Sequence, residues 1–369
     1  MHRVAALLLA VAVVAGACGD GGGDETGPAP TSAAGATTTT GGATTVASPA
    51  TTSPATTSGE VLATFASGGA RLQVASVATG LDTVWSLAWD PEGRLWFTER
   101  GGRLTRLGDA ARVVRGVEES GEAGLMGLEI DGDGRVFVMF TGVDDNRVVE
   151  VRPDGSQRVL VDGIAKAAIH DGGRIRFGAD GALYASTGDA GDTGLAQQRD
   201  SLNGKILRID PDSGEHRAFS LGHRNVQGLC VAADGRLLAT EHGPAEGDEV
   251  NALSDGFNGG WPGRVGNGLA NYTPTIAPAG CAVYGAELIG PWKGSMLFVT
   301  LKDANLHRLT FAPDGSVADD EVLLDGRFGR LRDVAVGPDG AVYIATSNRD
   351  GRGDPAPSDD RILRITPAP

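Results

Sequence analysis

The feature that most constrains the fold is a unit that recurs six times after residue 60. Each copy has an alternating apolar run, a turn that ends in glycine, and a second apolar run that closes on a small polar residue. Such alternation is typical of half-buried strands, and Asp-Gly between two runs is a strong hairpin signal. The copies read "VWSLAWDPEGRLWFTE", "LMGLEIDGDGRVFVMFTG", "GRIRFGADGALYASTGD", "NVQGLCVAADGRLLATEHG", "PWKGSMLFVTLKD" and "LRDVAVGPDGAVYIATSN".

The spacing of the units predicts a β-propeller. Repeats of about 40 to 60 residues, each with a hairpin and a trailing strand, are typical of propeller blades. We therefore expect an all-β fold, a six-bladed β-propeller over 63–369, closed by pairing of the early run "RLQVASVA" with the final "RILRI". The turn glycines are Gly93, Gly134, Gly181, Gly235, Gly294 and Gly340.

The first 18 residues have the pattern of an export signal. "MHRVAALLLAVAVVAGAC" combines a basic start, about a dozen apolar residues and small residues before Cys18. It is too short for a transmembrane helix. "AGAC" resembles a lipobox, in which Cys18 would carry a lipid; the alternative is ordinary secretion with Cys18 left in the tail. The pattern predicts an exported, extracytoplasmic protein whose only membrane contact is an N-terminal lipid anchor on the outer face of the cell membrane.

Residues 19–62 predict a linker between that anchor and the propeller. The segment is rich in Thr, Ala, Gly and Pro and has almost no apolar side chains to bury. Burial of so little apolar surface cannot offset the entropy lost on ordering a chain. We expect a tether.

Cysteine usage and charge narrow the compartment and the partners. Beyond the linker only Cys230 and Cys281 remain, and an even pair in an oxidising compartment favours a disulfide, although two buried thiols are an open alternative. The chain has 47 acidic and 32 basic residues, a formal net charge of -15. This acidity excludes nucleic acid as a partner.

A propeller fold does not define a function, so the loops at one end of the channel must be read for chemistry. Arg330 and Arg332 lie two apart on a strand, so both side chains share a face, which gives either an anion clamp or a solvated surface. Lys302 follows "MLFVTL", a candidate inner strand. Three further polar side chains lie where the fourth copy begins, ahead of its apolar run: Arg224, Asn225 and Gln227.

Two other stretches suggest catalysis and metal binding. His170 enters the third hairpin and Asp189 leaves it, which can bring a general base and its orienting acid to one channel mouth. The alternative is a histidine in an ordinary glycine turn. In "TEHGPAEGDEVN", hard oxygen donors suit Ca²⁺, whereas an acidic surface turn is the plainer interpretation.

In their order along residues 72–366, the motifs resemble the soluble pyrroloquinoline quinone (PQQ)-dependent sugar dehydrogenases, the glucose/sorbosone dehydrogenase family that includes the aldose sugar dehydrogenases. The resemblance implies oxidation of an aldose at its anomeric carbon to a lactone, with PQQ and Ca²⁺ as cofactors and an external electron acceptor. The motifs are "GEAGLMGLEI", "HDGGRIRFGADGALYASTGD", "GKILRID", "LGHRNVQGL", "EHGPAEGDEVN", "NGGWP", "LKDANLHRL" and "RLRDVAVGPDG".

The resemblance also assigns roles to residues. His170 becomes the general base, Asp189 its partner, and Glu122 and Tyr272 neighbours of the substrate. Ca²⁺ would take the carbonyls of Gly243 and Pro244, with Asp248 and Glu249 as acids of the same loop. PQQ would contact Arg224, Asn225, Gln227, Lys302, Arg330 and Arg332. A monomer and a homodimer stay equally open.

Two functions from other classes compete with this interpretation. One is a calcium-dependent hydrolase or lactonase on a six-bladed propeller, and the other is a tethered binding propeller without turnover. A neutral lactone offers no carboxylates to Arg224, Lys302, Arg330 and Arg332, so these cations disfavour the first alternative. The presence of both His170 and Asp189 disfavours the second.

Overall fold

The computed structural model describes residues 55–56 and 59–369. The predicted signal peptide, Cys18 and most of the predicted linker lie outside the described residues. The described chain is nearly all β-strand, with two 3₁₀ helices at Leu195–Gln197 and Gly290–Trp292. Within this part of the chain no helix is long and apolar enough to span a membrane.

The strands form six antiparallel sheets, the blades of a β-propeller. The first three strands are β1 (Ala55–Thr56), β2 (Val61–Ser67) and β3 (Ala70–Thr79). Blade one contains β4 (Val84–Trp89), β5 (Leu95–Glu99), β6 (Arg103–Arg106) and β7 (Arg112–Val113). Blade two contains β8 (Leu125–Ile130), β9 (Val136–Thr141), β10 (Asn146–Val151) and β11 (Gln157–Ile164). Blade three contains β12 (Gly172–Phe177), β13 (Leu183–Thr187), β14 (Lys205–Ile209) and β15 (His216–Leu221).

The other three blades follow the same order. Blade four contains β16 (Val226–Val231), β17 (Leu237–Glu241), β18 (Asp248–Leu253) and β19 (Ala270–Tyr272). Blade five contains β20 (Pro278–Val283), β21 (Met296–Thr300), β22 (Leu306–Phe311) and β23 (Val317–Leu323). Blade six contains β24 (Leu331–Val336), β25 (Val342–Thr346) and β26 (Ile362–Pro367). The predicted six-bladed, all-β propeller is confirmed.

The first strand of each blade lies innermost. β4, β8, β12, β16, β20 and β24 each pack against the inner strands of the two neighbouring blades, which makes a closed ring around a central channel. Apolar side chains fill the space between neighbouring blades, so the strands near the channel are buried on both faces. The loops before each inner strand and after each second strand therefore gather at one end of the channel.

The ring closes as the sequence predicts, but the domain starts earlier. β3 pairs with β26 in blade six, with Val74 opposite Ile365. β2 also pairs with β3, starting at Val61, and Ala55–Thr56 adds a further short strand. Strand pairing therefore begins at Val61, two residues before the predicted boundary at 62/63, because the backbone of "VLATFAS" extends the sheet along β3.

The fifth blade departs from the predicted hairpin. Its inner strand is β20, which precedes the fifth copy, and β21 pairs with it as the second strand. Gly294 therefore does not close a two-strand turn. The segment "GPW" of the same connection forms the 3₁₀ helix Gly290–Trp292. This copy lacks the Asp-Gly signal, and Lys302 accordingly follows a second strand instead of an inner one.

Cys230 in β16 and Cys281 in β20 form a disulfide, with Cα atoms 5.7 Å apart. Both side chains are buried between blades four and five. The bond links two neighbouring inner strands across 51 residues of sequence. It therefore restricts the unfolded chain over nearly a whole blade.

Replacement of both cysteines by alanine should lower the free energy of unfolding by about 2 to 4 kcal/mol, because the unfolded chain regains the entropy of an open loop. Guanidinium unfolding of the wild type and the double variant measures this loss. A reducing agent should shift the wild type by a similar amount and leave the double variant unchanged. Two alkylatable thiols in unreduced, denatured wild-type protein would contradict the disulfide.

Candidate active site

The hairpin β12–β13 brings His170 and Asp189 together. Gly172 lies opposite Thr187 in the antiparallel register, so the residues that enter and leave the hairpin meet at one end. His170 Nδ1 lies 2.7 Å from Asp189 Oδ1. Asp189 is fully buried, whereas the His170 side chain is 14% exposed. The predicted juxtaposition of base and acid is present.

Asp189 is ionised by the hydrogen bonds around it. Burial opposes the charged form, but donors from His170, from the backbone N–H of Gly191 and from the Trp261 indole outweigh it and lower the pKa of Asp189. The Gly191 N–H lies 2.9 Å from Oδ1 and the indole nitrogen 2.8 Å from Oδ2. An ionised carboxylate accepts a hydrogen bond from Nδ1–H of the imidazole. His170 Nε2 then carries the lone pair that a general base requires.

The two glycines after His170 serve the strands and not a ligand. Gly172 has a φ of +69°, and a Cβ there would lie 2.7 Å from the carbonyl oxygen of Ser186. A Cβ on Gly173, whose φ is +103°, would lie 2.5 Å from the sulfur of Met126. Close approach of β13 and blade two explains both glycines.

Glu122, which the resemblance makes a neighbour of the substrate, lies beside His170. Its Oε2 accepts the backbone N–H of His170 at 3.3 Å, and its Oε1 lies 2.6 Å from Arg352 Nη1. Burial alone would raise the pKa of Glu122, but Arg352 and the His170 N–H outweigh it and lower the pKa. His170 has a φ of +61°, a conformation that is uncommon outside glycine. The ionised Glu122 therefore helps to hold an unusual backbone conformation at the base.

Two buried amides connect the His170 segment to the arginines. Asn225 Oδ1 accepts the N–H of Gly172 at 3.2 Å and the Gln227 amide at 3.0 Å. Gln227 Oε1 accepts Arg332 Nη1 at 2.8 Å. Asn225 and Gln227 thus position other groups of the site, in addition to any ligand contact of their own.

Arg330 and Arg332 converge on Asp350. Asp350 Oδ2 lies 2.7 Å from Arg330 Nη2 and 3.6 Å from Arg332 Nη2. Arg330 Nη1 also donates to the Leu301 carbonyl at 3.0 Å, which places it beside Lys302. The Lys302 side chain is exposed and donates to Thr275 Oγ1 at 3.2 Å. Sequence reasoning found all three cations and missed the acid.

The Arg332 guanidinium is buried, and one of its donors is unsatisfied. Burial, together with the charges of Arg330 and Arg174, outweighs Asp350 and Glu122 and lowers the pKa of Arg332 to about 10. Arg332 Nε is buried and has no hydrogen-bond partner among residues 55–56 and 59–369. A buried donor without a partner costs free energy that an anionic ligand would recover.

His242 is a second buried group with an open position. Burial lowers the pKa of His242 to about 3, and Arg332 and Arg224 act in the same direction against Glu122, so the imidazole is neutral. Its Nε2 has no partner in the described part of the chain. Arg224 donates to the His242 carbonyl at 3.2 Å. His242 therefore lies close to these cations, and the sequence analysis assigned it no role.

The predicted calcium loop presents carbonyls and not carboxylates. Asp248 is buried, and its two oxygens accept the N–H groups of Gly243 at 2.7 Å, Ile276 at 2.6 Å and Ala277 at 2.7 Å. The oxygens of Glu249 are taken by Asn251 and by backbone N–H groups. The described residues contain no cluster of three His, Cys, Asp or Glu side chains suited to a metal.

The carbonyl oxygens of Gly243 and Pro244 are different from these acids. Neither accepts a hydrogen bond from the residues that the structure describes. Carbonyl oxygen is a ligand that Ca²⁺ accepts. Asp248 and Glu249 therefore shape the loop, and the two carbonyl oxygens are the atoms of the loop that are free to bind a cation.

Tyr272 does not join this group. Its hydroxyl donates to Asp320 Oδ2 at 2.9 Å on β23, and its ring packs against Phe298 and His307. These partners belong to blade five, where the outer strands meet blade four. The prediction of Tyr272 as a substrate neighbour is not supported, because side chains alternate along β19 and this one faces the neighbouring blade.

Sequence reasoning missed four side chains of the site. Asp350 and Arg352 lie in the loop between β25 and β26, outside every quoted motif. His242 and Trp261 lie inside "EHGP" and "NGGWP", where the motif was a signal but the residue was not given a role. Arg352 and Trp261 have their partners, Glu122 and Asp189, in other blades, and spacing along the chain does not reveal such contacts.

Known proteins share this arrangement of sequence and fold. A family model described as glucose/sorbosone dehydrogenase matches residues 81–363. Aldose sugar dehydrogenase YliI of Escherichia coli is 27% identical over 358 residues, which cover 81% of this chain and 94% of that protein. Quinoprotein glucose dehydrogenase B of Acinetobacter calcoaceticus is 23% identical over 402 residues, which cover 73% and 84%.

A solved structure agrees with them. The PQQ-bound aldose sugar dehydrogenase from Streptomyces coelicolor superimposes with a TM-score of 0.72 and 38% identity, over 80% of this chain and 98% of that one. The family model spans more than half of the present sequence, from blade one to the last strand. The chain belongs to the glucose/sorbosone dehydrogenase family.

Proposed function

We propose that this chain is a PQQ- and Ca²⁺-dependent dehydrogenase that oxidises aldoses at the anomeric carbon to lactones and passes the electrons to an external acceptor. The observation that carries the proposal is that Arg330 and Arg332 converge on a single acid, Asp350, while the buried Nε of Arg332 has no partner among the described residues. Asn225 and Gln227 connect Arg332 to the His170 segment. An anionic cofactor beside a general base accounts for the unpartnered donor and for the His170–Asp189 pair.

The cationic region fits PQQ, a flat tricarboxylate. Arg224, Lys302, Arg330 and Arg332 offer charge-assisted donors to carboxylates, and guanidinium groups bind them in pairs. The unpartnered Nε of Arg332 and the neutral His242 supply further polar positions. Asn225 and Gln227 would contact the cofactor through the amide donors and acceptors that their internal hydrogen bonds leave free.

The loop after β17 would bind calcium through backbone carbonyl oxygens only. Gly243 and Pro244 would hold the ion through their carbonyl oxygens, and Asp248 would act through the loop that it braces. Two carbonyls are too few for Ca²⁺, which prefers six to eight oxygens, so cofactor oxygens and water must complete the shell. This makes calcium binding dependent on bound PQQ.

When bound, PQQ supplies the hydride-accepting carbon and Ca²⁺ supplies Lewis-acid polarisation. The protein supplies the proton acceptor: His170 Nε2 takes the proton of the anomeric hydroxyl while Asp189 stabilises the imidazolium that results. Glu122 is positioned to accept a hydrogen bond from a sugar hydroxyl. Arg352 keeps that carboxylate ionised.

We further propose that the enzyme acts outside the cytoplasm. The pattern of residues 1–18 is that of an exported lipoprotein, and the Cys230–Cys281 disulfide suits an oxidising compartment. A lipid at Cys18 and the linker would then hold the propeller near the outer face of the membrane.

Titration of the apo-protein with PQQ in the presence of Ca²⁺ tests the proposal directly. We expect saturable binding by absorbance, and reduction of a dye acceptor when glucose or another aldose is added. Chelation of Ca²⁺ should weaken PQQ binding. A protein that neither binds PQQ nor reduces the dye with any aldose of a broad panel would refute the proposed function.

His170→Ala should lower kcat by about 10²- to 10⁴-fold, because the general base is lost, and should leave PQQ affinity unchanged. Since His170 has a positive φ, His170→Asn is a second variant with a residue that tolerates this conformation. His216→Ala, an exposed histidine on β15, is the matched control. Persistent turnover in both His170 variants would show that the base is another residue.

Arg332→Ala should weaken PQQ binding by about 10- to 100-fold, since a charge-assisted hydrogen bond to a carboxylate is lost. The apo-protein should lose little stability, because the variant also removes a buried guanidinium whose Nε has no hydrogen-bond partner among the described residues. Absorbance titration and thermal unfolding separate the two effects. Arg364→Ala, which removes a more exposed arginine paired with Asp339, is the control; equal PQQ affinity in both variants would make Arg332 structural.

A further inference from the structure

Trp261 contacts the catalytic dyad from a different blade. It lies in the loop between β18 and β19, and its indole Nε1 donates to Asp189 Oδ2 at 2.8 Å. Its backbone is fixed on both sides: the N–H donates to the Gly222 carbonyl at 3.0 Å, and the carbonyl accepts Gln197 Nε2 at 2.7 Å. The indole is therefore held in place by residues of blade three and its loops.

The indole determines which way the Asp189 carboxylate faces. Asp189 Oδ1 accepts two hydrogen bonds, from His170 Nδ1 and from the Gly191 N–H. Oδ2 accepts one hydrogen bond in the described part of the chain, and it comes from Trp261. Without that donor nothing fixes the carboxylate plane, and rotation about its Cβ–Cγ bond would tilt the hydrogen bond that orients the base.

The same ring lies against a cation of the proposed cofactor site. The guanidinium carbon of Arg224 lies 5.5 Å from the centroid of the Trp261 ring, within the range of a cation–π contact. The Asp189 N–H also donates to the Arg224 carbonyl at 2.9 Å. One side chain thus touches both the acid of the dyad and a cation assigned to PQQ.

We propose that Trp261 is a positioning residue with two separable actions. Its N–H holds Asp189 and through it His170, and its ring supports Arg224. The inference rests on the proposed function, because it assigns these contacts to proton removal and to cofactor binding.

Trp261→Phe keeps a ring and removes the donor. We expect kcat to fall about 10-fold, since a hydrogen bond to a charged group is lost, with PQQ affinity unchanged. Loss of the donor also makes Asp189 a stronger base. The other charged groups that face this pair are Arg224 beside Asp189, and Glu122 and Asp171 beside His170. The variant changes none of them, and a more basic Asp189 favours the imidazolium form of His170. The acid limb of the pH profile of kcat/KM should therefore move to higher pH.

Trp261→Leu removes the ring as well as the donor. It should reproduce the loss of kcat and in addition weaken PQQ binding by about 3- to 30-fold, the range expected for a lost cation–π contact. Absorbance titration of the apo-protein measures this without turnover. Equal PQQ affinity in the Phe and Leu variants would overturn the contribution of the ring.

Trp96→Phe is the matched control. Trp96 Nε1 donates to Asp90 Oδ2 at 2.9 Å in the first blade, so the variant loses the same kind of hydrogen bond away from the dyad. It should leave kcat, the pH profile and PQQ affinity unchanged. An equal effect of Trp96→Phe and Trp261→Phe would overturn the inference.

A double-variant cycle tests whether Trp261 acts through Asp189. In an Asp189→Ala background, Trp261→Phe should lower kcat no further, because the acceptor is already gone. Multiplication of the two losses would show a general structural effect and overturn the positioning role. Absence of PQQ binding and turnover in the wild type would instead refute the proposed function, so the two failures are distinguishable.

Discussion

The buried pair of Arg174 and Asp333 holds the propeller together across its channel. Arg174 lies on β12 in blade three and Asp333 on β24 in blade six, on opposite sides of the ring, with Nη1 3.1 Å from Oδ2. Arg174 also donates to Ser86 of blade one and to the Gln227 carbonyl of blade four. A break in such a buried pair costs about 3 to 5 kcal/mol, because one charge is left without compensation.

The neighbouring strand β20 leaves room for this pair because it has a glycine beside Asp333. A Cβ on Gly280 of β20 would lie 1.9 Å from Asp333 Oδ1, so only glycine allows the carboxylate to stand where it does. Asp333 in turn accepts the N–H of Leu87 at 2.8 Å. Burial of ionic groups is unfavourable by itself, but here each group is hydrogen-bonded, and the network fixes the inner strands relative to one another. Fixed inner strands are the condition for a site assembled from several blades.

The sequence predicts a feature of the fold or the site well when the residues that form it lie close together along the chain. Hairpins with Asp-Gly turns were located correctly, and so was the meeting of His170 with Asp189, since both lie at the ends of one hairpin. The fifth blade lacked a turn signal, and its inner strand was missed. Asp350 and Trp261 were missed for another reason: Asp350 lies in a loop outside every quoted motif, and Trp261 contacts Asp189 from the neighbouring blade, so no short motif records either contact. Tyr272 failed because one position on a strand decides whether a side chain faces the channel or the next blade.

The same distinction separates the acids of the chain. Asp248 and Glu249 stand in a motif that suggests metal binding, yet their oxygens are occupied by backbone N–H groups and by Asn251. Their hydrogen bonds shape the loop, and the free carbonyl oxygens of that loop are the atoms that suit a cation. The cations show the opposite arrangement: Arg332 is buried with a donor left unsatisfied. In the described residues the acids of this loop are satisfied, whereas the buried Arg332 has a donor without a partner, so its surroundings suit an anion better than a cation alone. An anion that binds only the folded state stabilises it, so an anion bound at Arg332 would raise the free energy of unfolding of the propeller.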